Sequence, residues 1–404
     1  MNPDQELEFN VEPELGPLTL RLRRYKPGPR RPDGPDGTPR SVLMLHGGNS
    51  SSETYLLPNG GFTAFLIDRG WDVWLLDNRT SPYVQNTLPS RKPPFLGGSV
   101  VEECKLFTLD RIVEVDIPEA VRRVRAEIGE SELSVIGHCV GGASLALAVA
   151  RGKLPGVTNV VLSALGLFYE VPWNGWVKAE DYLIERVLSQ TPDCRSIDPK
   201  ELDAWPPGMA DAYRHWPRDW LPSGDEPWHR MLALLTFMFG QPYVLESLDP
   251  SLRGEALLPV FGNMHLGLYW HLGQMVRRGY AGQFNAPDVI DRSRLARTRT
   301  RDAREPGPAP GDLASGPMFK DKNVTLISGA DNRLWHRDSM DLMYEWLREH
   351  ARGGSGAVFK QVYPGYGLQE IVWGKGARAD VFPKIERGLL GVDADDPKYP
   401  PRRA

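Results

Sequence analysis

The 404-residue chain predicts an α/β fold, a doubly wound and mostly parallel sheet with an inserted helical cap. Three observations carry that expectation. Short apolar runs recur along the chain, helical stretches lie between most of them, and one long segment breaks the alternation. Residues 6–24 alternate apolar and charged side chains, as in "LEFNVEP" and "LTLRLRRY", which predicts an opening antiparallel hairpin. A Pro/Gly/Arg-rich stretch, 26–40, follows as an exposed loop. "SVLMLHGG" (41–48) then begins the series of runs suited to strands buried on both faces. It continues with "WDVWLLD" (71–77), "LSVIGHC" (133–139), "TNVVLSALG" (158–166), "NVTLISGAD" (323–331) and "AVFKQVYPG" (357–365). Thr108 can cap a helix running through "LDRIVEVDIPEAVRRVRAEIG", with Ile112, Val115, Val121, Val124 and Ile128 on its apolar face.

Residues 171–316 break the pattern with Trp, Pro and helical stretches such as "HRMLALLTFMFG" and "MHLGLYWHLGQMVRRG". Lying between two strands, they predict a cap over the site, with 1–170 and 317–404 as the core. Within the cap, 286–316 carry six arginines among Asp, Pro and Gly, and a solvated linker is expected there. The aromatic residues Trp173, Trp176, Trp205, Trp216, Trp220, Trp228, Tyr269 and Trp270 suit either a sizeable apolar or lipid-like substrate or the cap's own core.

Composition narrows the function. A formal net charge of −4 gives no reason to expect nucleic acid or an anionic membrane as partner. No apolar run approaches the roughly eighteen residues of a membrane span. The acidic, polar N-terminus does not read as a secretory signal, so a cytoplasmic protein is expected. Three cysteines, Cys104, Cys139 and Cys194, are too few and too scattered for a disulfide framework or a metal cluster. Without a dinucleotide fingerprint or P-loop, no cofactor is expected.

The chemistry concentrates in "LSVIGHCVGGASLALAVA". A buried strand runs into Gly137-His138-Cys139-Val140-Gly141 and straight on into a small-residue helix. That is the pattern of a nucleophile elbow, a strained strand-to-helix turn whose flanking glycines make room for crowded backbone. An α/β-hydrolase fold follows, with cysteine where serine is usual. The helix N-terminus behind the turn is expected to lower the thiol pKa and favour a thiolate, although a buried cysteine also serves as a plain small hydrophobe. His46-Gly47-Gly48 closes the first apolar run, so the Gly48 and Val140 N–H groups are the expected oxyanion donors and His46 a brace for their loop.

With "GWDVWLLDNRTS", "FTLDRIVEVDIPEAV", "GHCVGG", "LLTFMFGQPY", "HLGQMVRRG", "ISGADNRLW" and "YPGYGLQEIVWGKGARADVFPKI", the chain from about residue 41 onward resembles a particular family. These are the α/β-hydrolase domains at the C-terminal end of, or beside, cholesterol-oxidase-like (glucose-methanol-choline) flavoenzymes. More distantly it is similar to acid lipases. The resemblance implies ester, lipid-ester or related acyl chemistry, and several members share the Cys-Val-Gly elbow. Dienelactone hydrolases and polyhydroxyalkanoate synthases also use a cysteine at this turn, which keeps lactone and acyl-transfer readings open.

The resemblance also marks a departure. Where the family has Gly-Tyr-Gly-His-(Leu/Ile)-Asp, this chain has Gly365-Tyr366-Gly367-Leu368-Gln369-Glu370, so Leu368 stands at the position of the general base. Asp331 matches the acidic residue of the family's Gly-Ala-Glu-Asn and is the candidate acid, although an acid at a strand end also serves as a helix cap; Asn332 stands where other hydrolases place theirs. His265, in the cap motif, is the candidate replacement base and His336 the alternative, each equally compatible with a structural role. His271 is expected to pack or hydrogen-bond, and the side chain of His138 to point away from the site. Two functional classes follow. One is a cysteine-dependent ester, thioester or lactone hydrolase or acyltransferase; a thiolate needs less help from a base than a serine does. The other is a non-hydrolytic enzyme on the same fold (a lyase, isomerase or cyclase, with Tyr366 and Glu370 contributing) or a catalytically silent binding protein.

Overall fold

A computed structural model describes residues 1–11, 18–28, 40–85, 100–190, 196–197, 205–215, 227–252, 255–285, 318–393 and 395. The apolar runs form strands β1 (Gln5–Val11), β2 (Leu18–Tyr25), β3 (Arg40–Leu45), β4 (Trp71–Asp77), β5 (Leu133–His138), β6 (Asn159–Ser163), β7 (Asn323–Gly329) and β8 (Val358–Tyr363). They make one sheet in the order β1-β2-β4-β3-β5-β6-β7-β8. β1 pairs antiparallel with β2, and β2 antiparallel with β4; every later pairing is parallel. β4, β5 and β6 are buried at every position, as strands covered on both faces must be.

Successive side chains point to opposite faces, and the core divides accordingly. Leu43, Leu45, Val135 and Leu326 belong to one apolar cluster, whereas Val42, Met44, Ile136 and Ile327 belong to the other. The helices include α1 (Gly61–Ile67), α2 (Ile117–Ile128), α3 (Val140–Ala150), α4 (Trp173–Glu180), α5 (Leu183–Gln190), α6 (Pro207–Arg214), α7 (Pro227–Met238), α8 (Leu266–Arg278), α9 (Asp338–His350) and α10 (Phe382–Leu389). α3, apolar all round, is buried at every residue.

The helix expected after Thr108 is broken into pieces. Leu109–Arg111 is one short α-helical turn, Ile112–Asp116 is π-helical, and α2 follows. The wider turn rotates Val113 and Asp116 inward and leaves Val115 only half-buried. Thr108 occupies the N-cap position but does not cap: its hydroxyl donates to the Lys105 carbonyl at 3.0 Å. The Leu109 N–H goes instead to His271 Nδ1 at 3.2 Å, and His271 Nε2 donates to the Gly282 carbonyl at 2.8 Å. His271 is therefore a structural bridge, the role expected of it.

Between β6 and β7 the chain forms α4 to α8 and a two-residue ribbon, Ser196–Ile197 against Met264–His265. α8 packs on α4, on α5 and on the helix Val100–Leu106. Trp205 and Trp270 are buried in this region's own packing, whereas Trp173 is 70% exposed and stacks on Trp176. Trp216, Trp220, the Trp228 side chain, Cys194 and the 286–316 linker lie outside the described residues. Among the described residues no helix is long and apolar enough to cross a membrane.

Candidate active site

β5 ends at His138 and α3 begins at Val140, so Cys139 alone makes the turn between them. It does so at φ 56°, ψ −124°, a conformation that costs a non-glycine residue energy and persists only where its surroundings enforce it. Those surroundings are tight. A Cβ on Gly137 would lie 2.2 Å from the Gly141 carbonyl oxygen, and one on Gly141 2.5 Å from that of Leu45. Cys139 N–H donates to the Ser163 carbonyl at 2.8 Å, tying the turn to β6.

The backbone N–H groups of Gly48 and Val140 both act on Cys139 Sγ. The Gly48 loop is held from behind. His46 bonds the Gly47 carbonyl through Nδ1 at 2.7 Å, while its Nε2 accepts the Asn78 N–H at 3.3 Å. Burial lowers its pKa, so the ring is neutral and can play both parts. Next along, Arg79 is locked to Asp116: the backbone N–H and Nε each donate at 3.0 Å, and Nη2 at 2.6 Å. Both side chains are inaccessible to solvent. The π-helical turn that brings Asp116 inward thus braces the chain beside the Cys139 elbow.

Burial pushes the Cys139 thiol pKa up, outweighing Trp335, Val140 and Gly48 N–H groups that pull it down. Burial thus works against the thiolate that the helix end was expected to favour. Trp335 Nε1 donates to Sγ at 3.3 Å. Asn332 Oδ1 accepts the N–H groups of Leu334 and Trp335 at 3.0 and 3.1 Å, fixing the loop that carries the indole. Tyr169 packs edge-on against the ring with centroids 5.6 Å apart.

The opposite lip departs from expectation. Leu368, 1% exposed, lines the cleft, and neither His265 nor His336 does. His265 caps α8, its Nδ1 accepting the Gly267 N–H at 3.0 Å. Its ring stacks on Phe107 at 3.9 Å, and its Nε2 lies 3.6 Å from Glu103 Oε1. His336 is exposed and pairs with Asp338 at 2.9 Å. Asp331 is exposed at the end of β7, its N–H donating to the Tyr366 carbonyl. These three residues are tied into the fold rather than aimed at the sulfur.

His138 lines the cleft with Nδ1 bonded to Ser163 Oγ at 3.0 Å, while its buried Nε2 has no hydrogen-bond partner among the described residues; burial lowers its pKa to about 4. Tyr366 donates to Asp380 at 2.7 Å. Glu370 is fully buried, its Oε1 accepting the Val244 backbone N–H while Oε2 has no partner among the described residues, and burial raises its pKa to about 7.

The cleft is walled by Leu235, Phe239, Phe261, Leu334 and Leu368 around Cys139. Phe239 also lines a second cavity, bounded by Trp335, Tyr269, Leu272, Lys178 and Arg277. Lys178 Nζ donates to the carbonyls of Phe237 and Met238, and burial lowers its pKa to about 7. Sequence reasoning assigned no role to Trp335 or Lys178. The signal available for Trp335 was its place four residues after Asp331, on a loop between a strand and a helix.

The strand order, the strained elbow and the glycine pair at the end of β3 define the α/β-hydrolase fold. No family model matches the chain. Over 136 residues it is 29% identical to a gastric triacylglycerol lipase of Homo sapiens, a stretch covering 33% of this chain and 32% of that protein. Over 107 residues it is 30% identical to a lipase member K of Mus musculus, 26% of this chain and 25% of that one. The chain thus spans about a quarter to a third of the length of these curated relatives. Solved structures extend the likeness of fold across the whole chain. A thermostable carboxyl esterase from Bacillus coagulans superposes with a TM-score of 0.53 at 13% identity, covering 96% of each chain. A lipase in its open form gives 0.52 at 14%, covering 97% of this chain and 99% of that one.

Proposed function

We propose that the protein is an acyl-chemistry enzyme in which Cys139 attacks an ester, thioester or lactone carbonyl. The observation that carries the reading is the Cys139 sulfur itself, held on a positive-φ elbow with the Gly48 and Val140 N–H groups turned toward it. Sγ adds to the carbonyl carbon, and the carbonyl oxygen takes those two N–H donors as negative charge develops on it. The bond to the leaving oxygen or sulfur then breaks, and the proton given up by the thiol ends on that leaving group. Water or another acceptor nucleophile adds to the resulting thioester and returns the thiol.

With Leu368 at the position of the base, the second half is the slow half, so an acyl-enzyme accumulates and transfer to an acceptor competes with hydrolysis. The cap over the site is assigned to 171–316 and the core to 1–170 and 317–404. The apolar walls of the cleft suit an apolar or lipid-like acyl group, in keeping with the lipase relatives and with the resemblance to hydrolase domains beside glucose-methanol-choline flavoenzymes.

Intact-mass spectrometry after exposure to p-nitrophenyl esters and acyl-thioesters tests this reading. One acyl group should add to the wild-type chain and none to Cys139→Ala. Ester turnover that survives Cys139→Ala, or no adduct and no turnover in the wild type, would overturn it.

A further inference from the structure

We propose that Trp335 is a catalytic residue of this site: its indole N–H is a third donor to the Cys139 sulfur, stabilising the thiolate in place of an imidazolium. The proposal rests on Cys139 being the nucleophile and adds a residue that the fold does not require.

The geometry is specific. Nε1 lies 3.3 Å from Sγ, on a residue whose backbone N–H is held by Asn332 Oδ1 and whose ring makes a T-shaped contact with Tyr169. Trp335 is buried, so its N–H has left water, and a buried donor of this kind needs an acceptor. A sulfur accepts weakly as thiol and strongly as thiolate, so the bond gains most in the charged form. With the amides of Gly48 and Val140, the indole brings three neutral N–H donors to one sulfur. No proton is taken by any of them, so the thiol proton leaves with the departing group as in the reaction above.

The titratable neighbours do not compete over the working range. The hydroxyls of Tyr55, Tyr169 and Tyr269 lie close enough to sense a charge on the sulfur, and burial pushes each well above its ordinary value. His138, next in sequence, is held neutral by burial. The cations of the adjoining cavity are engaged elsewhere, Lys178 with the Phe237 and Met238 carbonyls and Arg277 with Glu185 at 2.8 Å. The indole is thus the side-chain donor in the set, and the one that substitution can remove.

The test is the pH profile of Cys139 alkylation by iodoacetamide, followed by intact mass, which needs no turnover. Trp335→Phe keeps an aromatic ring and removes the N–H. The midpoint should rise by about one pH unit, so that alkylation below the midpoint slows about tenfold, the size expected of one hydrogen bond to a charged acceptor. A merely structural role would change the plateau rate through access and leave the midpoint where it was; an unmoved midpoint overturns the proposal. Should Trp335→Phe not fold, the wild-type indole Nε1–H resonance decides. It should titrate with the alkylation midpoint and lose that transition in Cys139→Ala; a resonance that does not move across the midpoint overturns the proposal as well. Failure of esters to acylate Cys139 would instead remove the acyl-enzyme reading while leaving this profile measurable.

Discussion

On one lip of the cleft, each group is held by short stretches of chain. Cys139, Val140, Gly47 and Gly48 sit at the ends of two adjacent parallel strands, and His46, Asn78, Arg79 and Asp116 support them from behind. On the other lip, the loops after β7 and β8 carry Trp335 and Leu368, and the polar residues expected there face elsewhere: Asp331 and His336 to solvent, His265 to the start of α8. The first lip depends on backbone, which a nucleophile elbow dictates residue by residue. The second depends on side-chain direction, which neighbours on distant elements set. The backbone geometry of the elbow and the glycine pair is therefore kept while the side chains expected opposite them face elsewhere.

Substitutions can break or sharpen that contrast. The largest effect is expected at Asp116, where Asp116→Ala removes the carboxylate that faces the buried Arg79 guanidinium. A loss of about 3–5 kcal/mol in urea unfolding is expected. A loss confined to the range of surface substitutions would mean that the brace behind the oxyanion loop is not under load.

On the other lip, Glu370 sets a pH dependence. Its folded pKa, about 7, lies above its ordinary 4.5, so the stability it contributes is full below about pH 4.5 and fades as pH rises through 7. The fall is about 3 kcal/mol across that window. Glu370→Gln should flatten this part of the stability-versus-pH curve, and a curve of unchanged slope would show that another group titrates there.

His265→Ala removes the cap of α8 and should cost about 1–2 kcal/mol of stability while leaving the extent of Cys139 acylation unchanged. Collapse of acylation at unchanged stability would return His265 to the role of base. The smallest effect belongs to His336→Ala, an exposed site, with stability expected within about 0.5 kcal/mol and acylation unaltered. A clear loss of activity there would erase the difference between the lips.

Much of the first lip was legible in the sequence. Gly137, Cys139 and Gly141 announce a strained turn because only small residues fit where backbone meets backbone, and His46-Gly47-Gly48 lies at the end of the strand beside it. The strands were legible for a similar reason: side chains buried on both faces of a sheet leave continuous apolar runs. Asp116 was not. The apolar pattern from Ile112 to Ile128 reads as an unbroken helix, and the π-helical turn that carries Asp116 inward is stabilised by Arg79 from a distant loop.

By itself, then, the sequence determined what backbone sterics and periodicity determine: the strands of the sheet, the elbow with Cys139 at its tip, and the loop after β8 that carries Leu368. The tertiary structure alone decided the environment of the sulfur. The protonation of Cys139 depends on desolvation by residues far apart in the chain, which pushes its pKa up and which a local reading of the helix end does not contain. The partner of the sulfur was decided in the same way, because the direction of the Trp335 indole follows from its packing on Tyr169 and from Asn332 holding the turn beneath it.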